Sequence, residues 1–186
     1  MTRRLILLCH AATASTRTGG FPSADEALDE GGLRKAANMR LPAPVPEILF
    51  TSPMLAARQT AQTLGVVART EPQLSDIGYG DWTGHSFADI HAHDPEALAR
   101  WIADPSPGAP GGETMDALLL RIGSWMNSLA ADVLAITHPM VVRAAIGAAL
   151  GLPHAALLRI DVAPLSSAVL SFNRVWRLQA LQPYAS

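Results

Sequence analysis

Charge is scarce in this chain: of 186 residues, 16% are charged, and the formal net charge is −2. With so few charges, and those scattered, there is no basic face for nucleic acid and no acidic tail. Any anion site must be assembled locally from a handful of cations. Cysteine is scarcer still. Cys9 stands alone, which rules out an internal disulfide framework and fits a reducing compartment. Long hydrophobic runs are missing as well. The apolar stretch Leu5–Cys9 is broken by His10, too short for the core of a secretory signal. The apolar region Met140–Leu152 carries Arg143 and ends at Pro153, short of a membrane span. These absences predict a cytoplasmic protein without nucleic-acid or membrane partners. What the chain does hold is apolar side chain, 49% of residues, enough at this length for one domain, residues 1–186, around a real core.

Two short apolar runs end alike. Leu5-Ile6-Leu7-Leu8 is followed by Cys9-His10, and Val133-Leu134-Ala135-Ile136 by Thr137-His138. Both read as buried strands, and ligands of open parallel sheets bind at the carboxyl ends of strands. Two imidazoles delivered there suggest one shared site, with one ring as nucleophile or base and the other as its helper. The bland alternative for each is a buried, satisfied histidine.

Strand and helix signals alternate along the rest, pointing to an α/β architecture. The loop Ala11–Gly32 is too long for a simple connector. A short helix is expected over Leu33–Arg40, stopped by Pro42. A strand is expected over Glu47–Thr51, then a helix from Pro53 to Leu64 with Ser52 as its cap. Val66–Arg69 reads as a short edge strand and Leu74–Gly84 as loop. Ser86–Ile102 reads as two helices broken at Asp94-Pro95. Met115, Leu118, Leu119, Ile122, Trp125, Met126 and Leu129 form the apolar stripe of one helix. A strand over Asp132–Thr137 and a helix over Pro139–Leu150 follow. Asp161–Ala163, Ser167–Phe172 and Val175–Leu181 are expected as closing strands, the last two a hairpin turning at Asn173-Arg174.

Four segments, in order, resemble one family. Leu8-Cys9-His10-Ala11-Ala12-Thr13 is similar to the R-H-G-x-T opening of the histidine phosphatase superfamily, the phosphoglycerate-mutase-like proteins. Thr51–Ala61 resembles its S-S-P-L-x-R-A-x-Q-T-A segment, Leu74–Gly84 its L-x-E-x-x-x-G-x-W-E-G, and Thr137–Ala144 its S-H-G-G-x-x-R-A. Gly111-Gly112-Glu113-Thr114 resembles its G-G-E-S turn. The resemblance implies a three-layer α/β/α sandwich with a mostly parallel sheet. It also implies hydrolysis of a small phosphomonoester without a metal or other cofactor. His10 would attack phosphorus to give a phosphohistidine, His138 would bind the phosphoryl group, and Asp76 would protonate the leaving oxygen. Thr13 and Thr137, inside the matched motifs, are expected to contact substrate.

The chain departs from the family pattern where the phosphate should be held. Cys9 and Ala56 stand in place of two clamp arginines, Asp76 in place of a glutamate, and Ala11 and Pro139 in place of glycines. Pro139 also lacks the backbone N–H of the residue it replaces. One preorganised donor is worth ~10²–10³ in rate, so the departures leave a second possibility: a degenerate member that binds an anion, metabolite or protein partner without turnover. Arg17, on the long loop, and Arg58, two positions past Ala56 and roughly 200° around a helix, are the candidate replacement cations. Arg143 keeps its family position and is expected to be structural. Trp82, Phe87 and Trp101 are expected to pack under the loops, and could also wall an apolar leaving group.

Other chemistries fit poorly. A cysteine phosphatase built on Cys9 would need arginine at position 15, where Ser15 stands. His91 and His93 fall on different faces of a helix, with no second ligand cluster. None of the glycine pairs carries the phosphate-binding pattern of a nucleotide P-loop.

Overall fold

The computed structural model describes residues 2–41 and 43–183. Strand β1, Arg3–Cys9, leads into a five-residue helix α1, Ala14–Thr18, and then α2, Glu30–Asn38. Next come β2, Ile48–Thr51, α3, Leu55–Thr63, and β3, Arg69–Thr70. Helices α4, Phe87–His93, α5, Pro95–Ala103, and α6, Met115–Ser128, precede β4, Val133–Thr137. Helices α7, Pro139–Leu150, and α8, His154–Leu157, lead to the closing strands β5, Ser167–Asn173, and β6, Val175–Gln182.

The strands form one sheet in the order β3-β2-β4-β1-β5-β6. The first four are parallel, while β5 and β6 run antiparallel at the far edge. Successive side chains of a strand point to opposite faces, and here the two faces meet different layers. Leu5, Leu7, Val133 and Ala135 pack with the buried faces of α6 and α7. Ile6, Leu8, Leu134 and Ile136 pack with Ala57 and Ala61 of α3. Burial on both sides explains why β1 and β4 are continuous apolar runs rather than alternating ones. The three-layer α/β sandwich expected from sequence is the fold observed.

Register positions the site. In the β1–β4 pair Cys9 lies opposite Thr137, so the residues that follow, His10 and His138, leave the sheet side by side. The His10 N–H donates to the Thr137 carbonyl at 2.9 Å, continuing the ladder one step past the strand end.

Several local expectations are corrected. The edge strand is only Arg69–Thr70, not Val66–Arg69, because it pairs solely with Phe50 and Thr51 at the end of β2. Asp161–Ala163 is not a strand. The chain there runs into Pro164 and Leu165, whose N–H reaches the Cys9 and His10 carbonyls from a left-handed backbone at φ 62°. The helix expected over Leu33–Arg40 begins earlier, at Glu30, because Asp29 caps it by accepting from the Gly32 N–H; Pro42 lies outside the described residues. Helix α3 starts at Leu55, after a Met54 cap, rather than at Pro53. The β5–β6 hairpin turns where expected, through Arg174 at φ 68°. Among the described residues no helix is long and apolar enough to cross a membrane.

Candidate active site

His10 and His138 are both buried, and their rings meet edge to face with centroids 5.0 Å apart and planes inclined by 64°. His10 Nδ1 lies 2.7 Å from the Ala11 carbonyl oxygen. A carbonyl can only accept, so Nδ1 carries the hydrogen and Nε2 of the neutral ring is left with a lone pair. Burial holds His10 below the ordinary histidine range, against the opposing pull of the Ala11 carbonyl and Glu26. The neutral ring is therefore the form present at pH 7. Ala11 is itself anchored, its N–H donating to Thr60 Oγ1, which in turn donates to the Ala56 carbonyl. Helix α3 thus braces the backbone that orients His10.

His138 caps α7. Its Nε2 lies 2.8 Å from the Ser52 hydroxyl, and Ser52 Oγ also accepts the Met54 N–H. Burial is the main cause that keeps the His138 ring well below the usual pKa, with His10 and Arg121 adding to it. Ser52 thus ties a histidine 86 positions away to the turn that leads into α3.

Asp76 stands on the segment between β3 and α4. Thr137 Oγ1 donates to the Leu74 carbonyl, and Arg121 donates to the carbonyls of Gln73, Ser75 and Asp76 while pairing with Glu113. The segment is clamped, so the carboxyl is placed rather than free to swing. Burial pushes Asp76 up to about 7, outweighing the Ile77 N–H bond and the arginines that favour its charge.

The shift has a stability consequence with a definite sign. Between the ordinary value near 3.8 and about 7, folded Asp76 keeps a proton that the unfolded chain has released. This group's contribution to stability is fully present below 3.8, declines as pH rises through that window, and is flat above it. Asp76→Asn is therefore expected to stabilise the protein at pH 8 by on the order of a few kcal/mol, and by little at pH 4. Urea melts at both pH values check this; an equal change at the two would contradict it.

His10 and Asp76 open on a cavity of about 620 Å³, walled further by Ser15, Thr16, Met140 and Arg143. His138 backs His10 without itself lining the cavity. Arg143, one helical turn past Met140, gives its Nε to the Ile160 carbonyl and forms no ion pair among the described residues. Sequence reasoning assigned Arg143 to structure alone. Its spacing from Met140 on α7 was the available signal, since residues three apart share a helix face.

The other sequence-predicted residues lie elsewhere. Thr13 is buried and caps α1 through the Thr16 N–H. Arg17 is paired with Asp29 and lines a neighbouring cavity, not that of His10. Arg58 is exposed on α3. Thr137 spends its hydroxyl on Leu74. Cys9 lies wholly inside, its thiol pushed far up by burial. Among the described residues no cluster of three His, Cys, Asp or Glu is arranged to hold a metal ion.

Residues 5–181 match the model of the histidine phosphatase superfamily, branch 1. The chain belongs to that superfamily. It is 32% identical over 133 residues to a bifunctional protein of Mycobacterium tuberculosis, covering 64% of this chain and 36% of that protein. The chain thus spans little more than a third of the length of the first curated relatives it matches. The adenosylcobalamin/alpha-ribazole phosphatase of Salmonella typhimurium is 27% identical over 173 residues, 86% of this chain and 85% of that one. Among solved structures, a mycobacterial glucosyl-3-phosphoglycerate phosphatase in complex with VO3 superposes with a TM-score of 0.83 at 27% identity. That match covers 99% of this chain and 100% of the other. In this superfamily member the paired histidines, the protonatable carboxyl and the cavity lie together at the carboxyl ends of the central strands β1 and β4.

Proposed function

We propose that this protein is a phosphomonoesterase, acting on a small phosphorylated metabolite through a phosphohistidine on His10. The observation that carries the reading is the hydrogen bond from His10 Nδ1 to the Ala11 carbonyl, which leaves Nε2 as a buried, neutral nucleophile at the base of the cavity. Its lone pair forms the N–P bond as the bond from phosphorus to the ester oxygen breaks. Protonated Asp76 supplies a proton to that departing oxygen. Water then attacks phosphorus, Asp76 takes its proton, and the N–P bond returns its electrons to His10 as phosphate leaves.

Two groups offset the loss of guanidinium at Cys9 and Ala56, while His138, hydrogen-bonded to Ser52, backs the His10 ring edge to face and keeps it in place for attack. Arg143 contributes the positive charge on the wall. The amino-terminal end of α7 adds its partial positive charge, weakened by the missing N–H of Pro139. Thr13, Arg17 and Arg58 hold no substrate in this reading, and Thr137 acts on substrate only through the segment carrying Asp76. The phosphatase names of relatives at 27% identity support turnover over a merely binding role.

The test is to trap the intermediate. Mixing protein with excess aryl phosphate, quenching in alkali and mapping peptides by mass is expected to find the phosphoryl group on the peptide containing His10. Turnover with label on another residue, or with none under single-turnover conditions, would overturn the assignment.

A further inference from the structure

We propose that the group esterified to the phosphate is apolar and uncharged, and docks on an aromatic wall made by Phe87, Trp101 and Ile102. The inference rests on the phosphatase reading for the position of the phosphoryl group, and on the rest of the cavity for its neighbour.

A cavity of about 620 Å³ falls within the ~300–1,000 Å³ typical of small-molecule sites. Besides His10 and Asp76 its lining includes six large apolar side chains, Phe21, Phe87, Trp101, Ile102, Leu158 and Val162. Two of these are unusually open for their type, Phe87 at 39% and Ile102 at 58% exposure. A docked apolar group would remove that surface from water, the ordinary source of affinity for such groups.

The wall is set before anything binds. Phe87 rests on Gly19, where an added Cβ would come within 2.9 Å of its ring. Phe87 also meets the fully buried Phe21 edge to face at 4.9 Å, and Phe21 holds Trp101 in the same manner at 5.4 Å. Rings fixed in this way are not ordered at the ligand's expense, which favours binding.

Charge argues in the same direction. Among the described residues lining this cavity Arg143 is the one Lys or Arg, and the phosphoryl group claims it. Asp161, exposed on the same cavity, faces whatever leaves the site with a carboxylate. A second anionic group on the substrate would meet repulsion here. The remaining nearby cations, Arg17 and Lys35, line a separate cavity of about 490 Å³ beyond Thr16, Ala163 and Pro164, and Arg17 there already holds Asp29.

Phosphonates separate this inference from the question of turnover. Calorimetric affinities of 2-phenylethylphosphonate and ethylphosphonate should differ by about 10- to 100-fold in favour of the first, the worth of burying one phenyl group. The double variant Phe87→Ser, Ile102→Ser should bring that ratio within about threefold of unity. In parallel, kcat/KM is measured for phenylethyl phosphate, ethyl phosphate and a phosphoglycerate, whose leaving alcohols differ little in acidity. Equal affinities in the wild type, a ratio untouched by the double variant, or a preference for the carboxylate-bearing ester would overturn the inference, the last by assigning the Arg17–Lys35 cavity instead. The affinity preference without hydrolysis of any ester would sustain the apolar subsite and remove the phosphatase reading.

Discussion

His10→Ala is expected to reduce turnover of an aryl phosphate by at least ~10⁴-fold, as removal of a covalent nucleophile does elsewhere. No neighbour is placed to take over: His138 is held against Ser52 and does not line the cavity, and the thiol of Cys9 is sealed inside. The conservative His10→Gln change keeps a polar group of similar reach at the buried position and should be equally inactive. Vanadate, an analogue of the transferring phosphoryl group, should raise the melting temperature of the wild type. Residual activity within tenfold of wild type in a folded His10 variant would remove the phosphohistidine mechanism.

The second large effect depends on the ester used. Asp76→Asn is expected to lower kcat/KM for an alkyl phosphate by ~10²–10⁴-fold, the usual worth of a positioned acid. For 4-nitrophenyl phosphate the loss should stay below about tenfold, because nitrophenolate leaves without a proton. The pH profile supplies an independent sign. Wild-type activity on alkyl esters should fall above about 7 as Asp76 loses its proton. It should fall on the acid side only below the ordinary histidine value of 6.5, where His10 takes one up. The variant should lose the alkaline limb and keep the acid one. Ionisation of the ester itself is common to both proteins, so the difference between their profiles isolates Asp76. Equal losses on both esters would assign Asp76 to positioning rather than proton transfer.

Much of this arrangement was legible from residues alone, and the failures share a cause. The runs Leu5–Leu8 and Val133–Ile136 announce themselves because a strand covered on both faces must be apolar throughout. The histidines after them follow from the same runs. What escaped was decided by partners far away in sequence. Ser52 has the form of a helix cap, yet its hydroxyl lies against His138, a contact set by the register of β1 and β4 with β2. The extent of β3 is fixed by where β2 ends, not by the side chains of Val66–Ala68. Arg17 sits not on an open loop but on the short helix α1, which does reach the pocket through Ser15 and Thr16, while Asp29 turns the Arg17 guanidinium to the other side. Arg143 is the converse case, a residue whose bond to Ile160 is structural while its position on the wall is not.

Cys9 carries a consequence for the conditions under which such a catalyst can work. Reaction with peroxide or an alkylating agent requires an accessible thiolate, and this sulfur, the chain's only thiol, is wholly enclosed and held in its protonated form. On the phosphohistidine reading the covalent intermediate sits on nitrogen while the one sulfur is shut away, so turnover is expected to survive peroxide treatment that inactivates enzymes relying on a reactive cysteine.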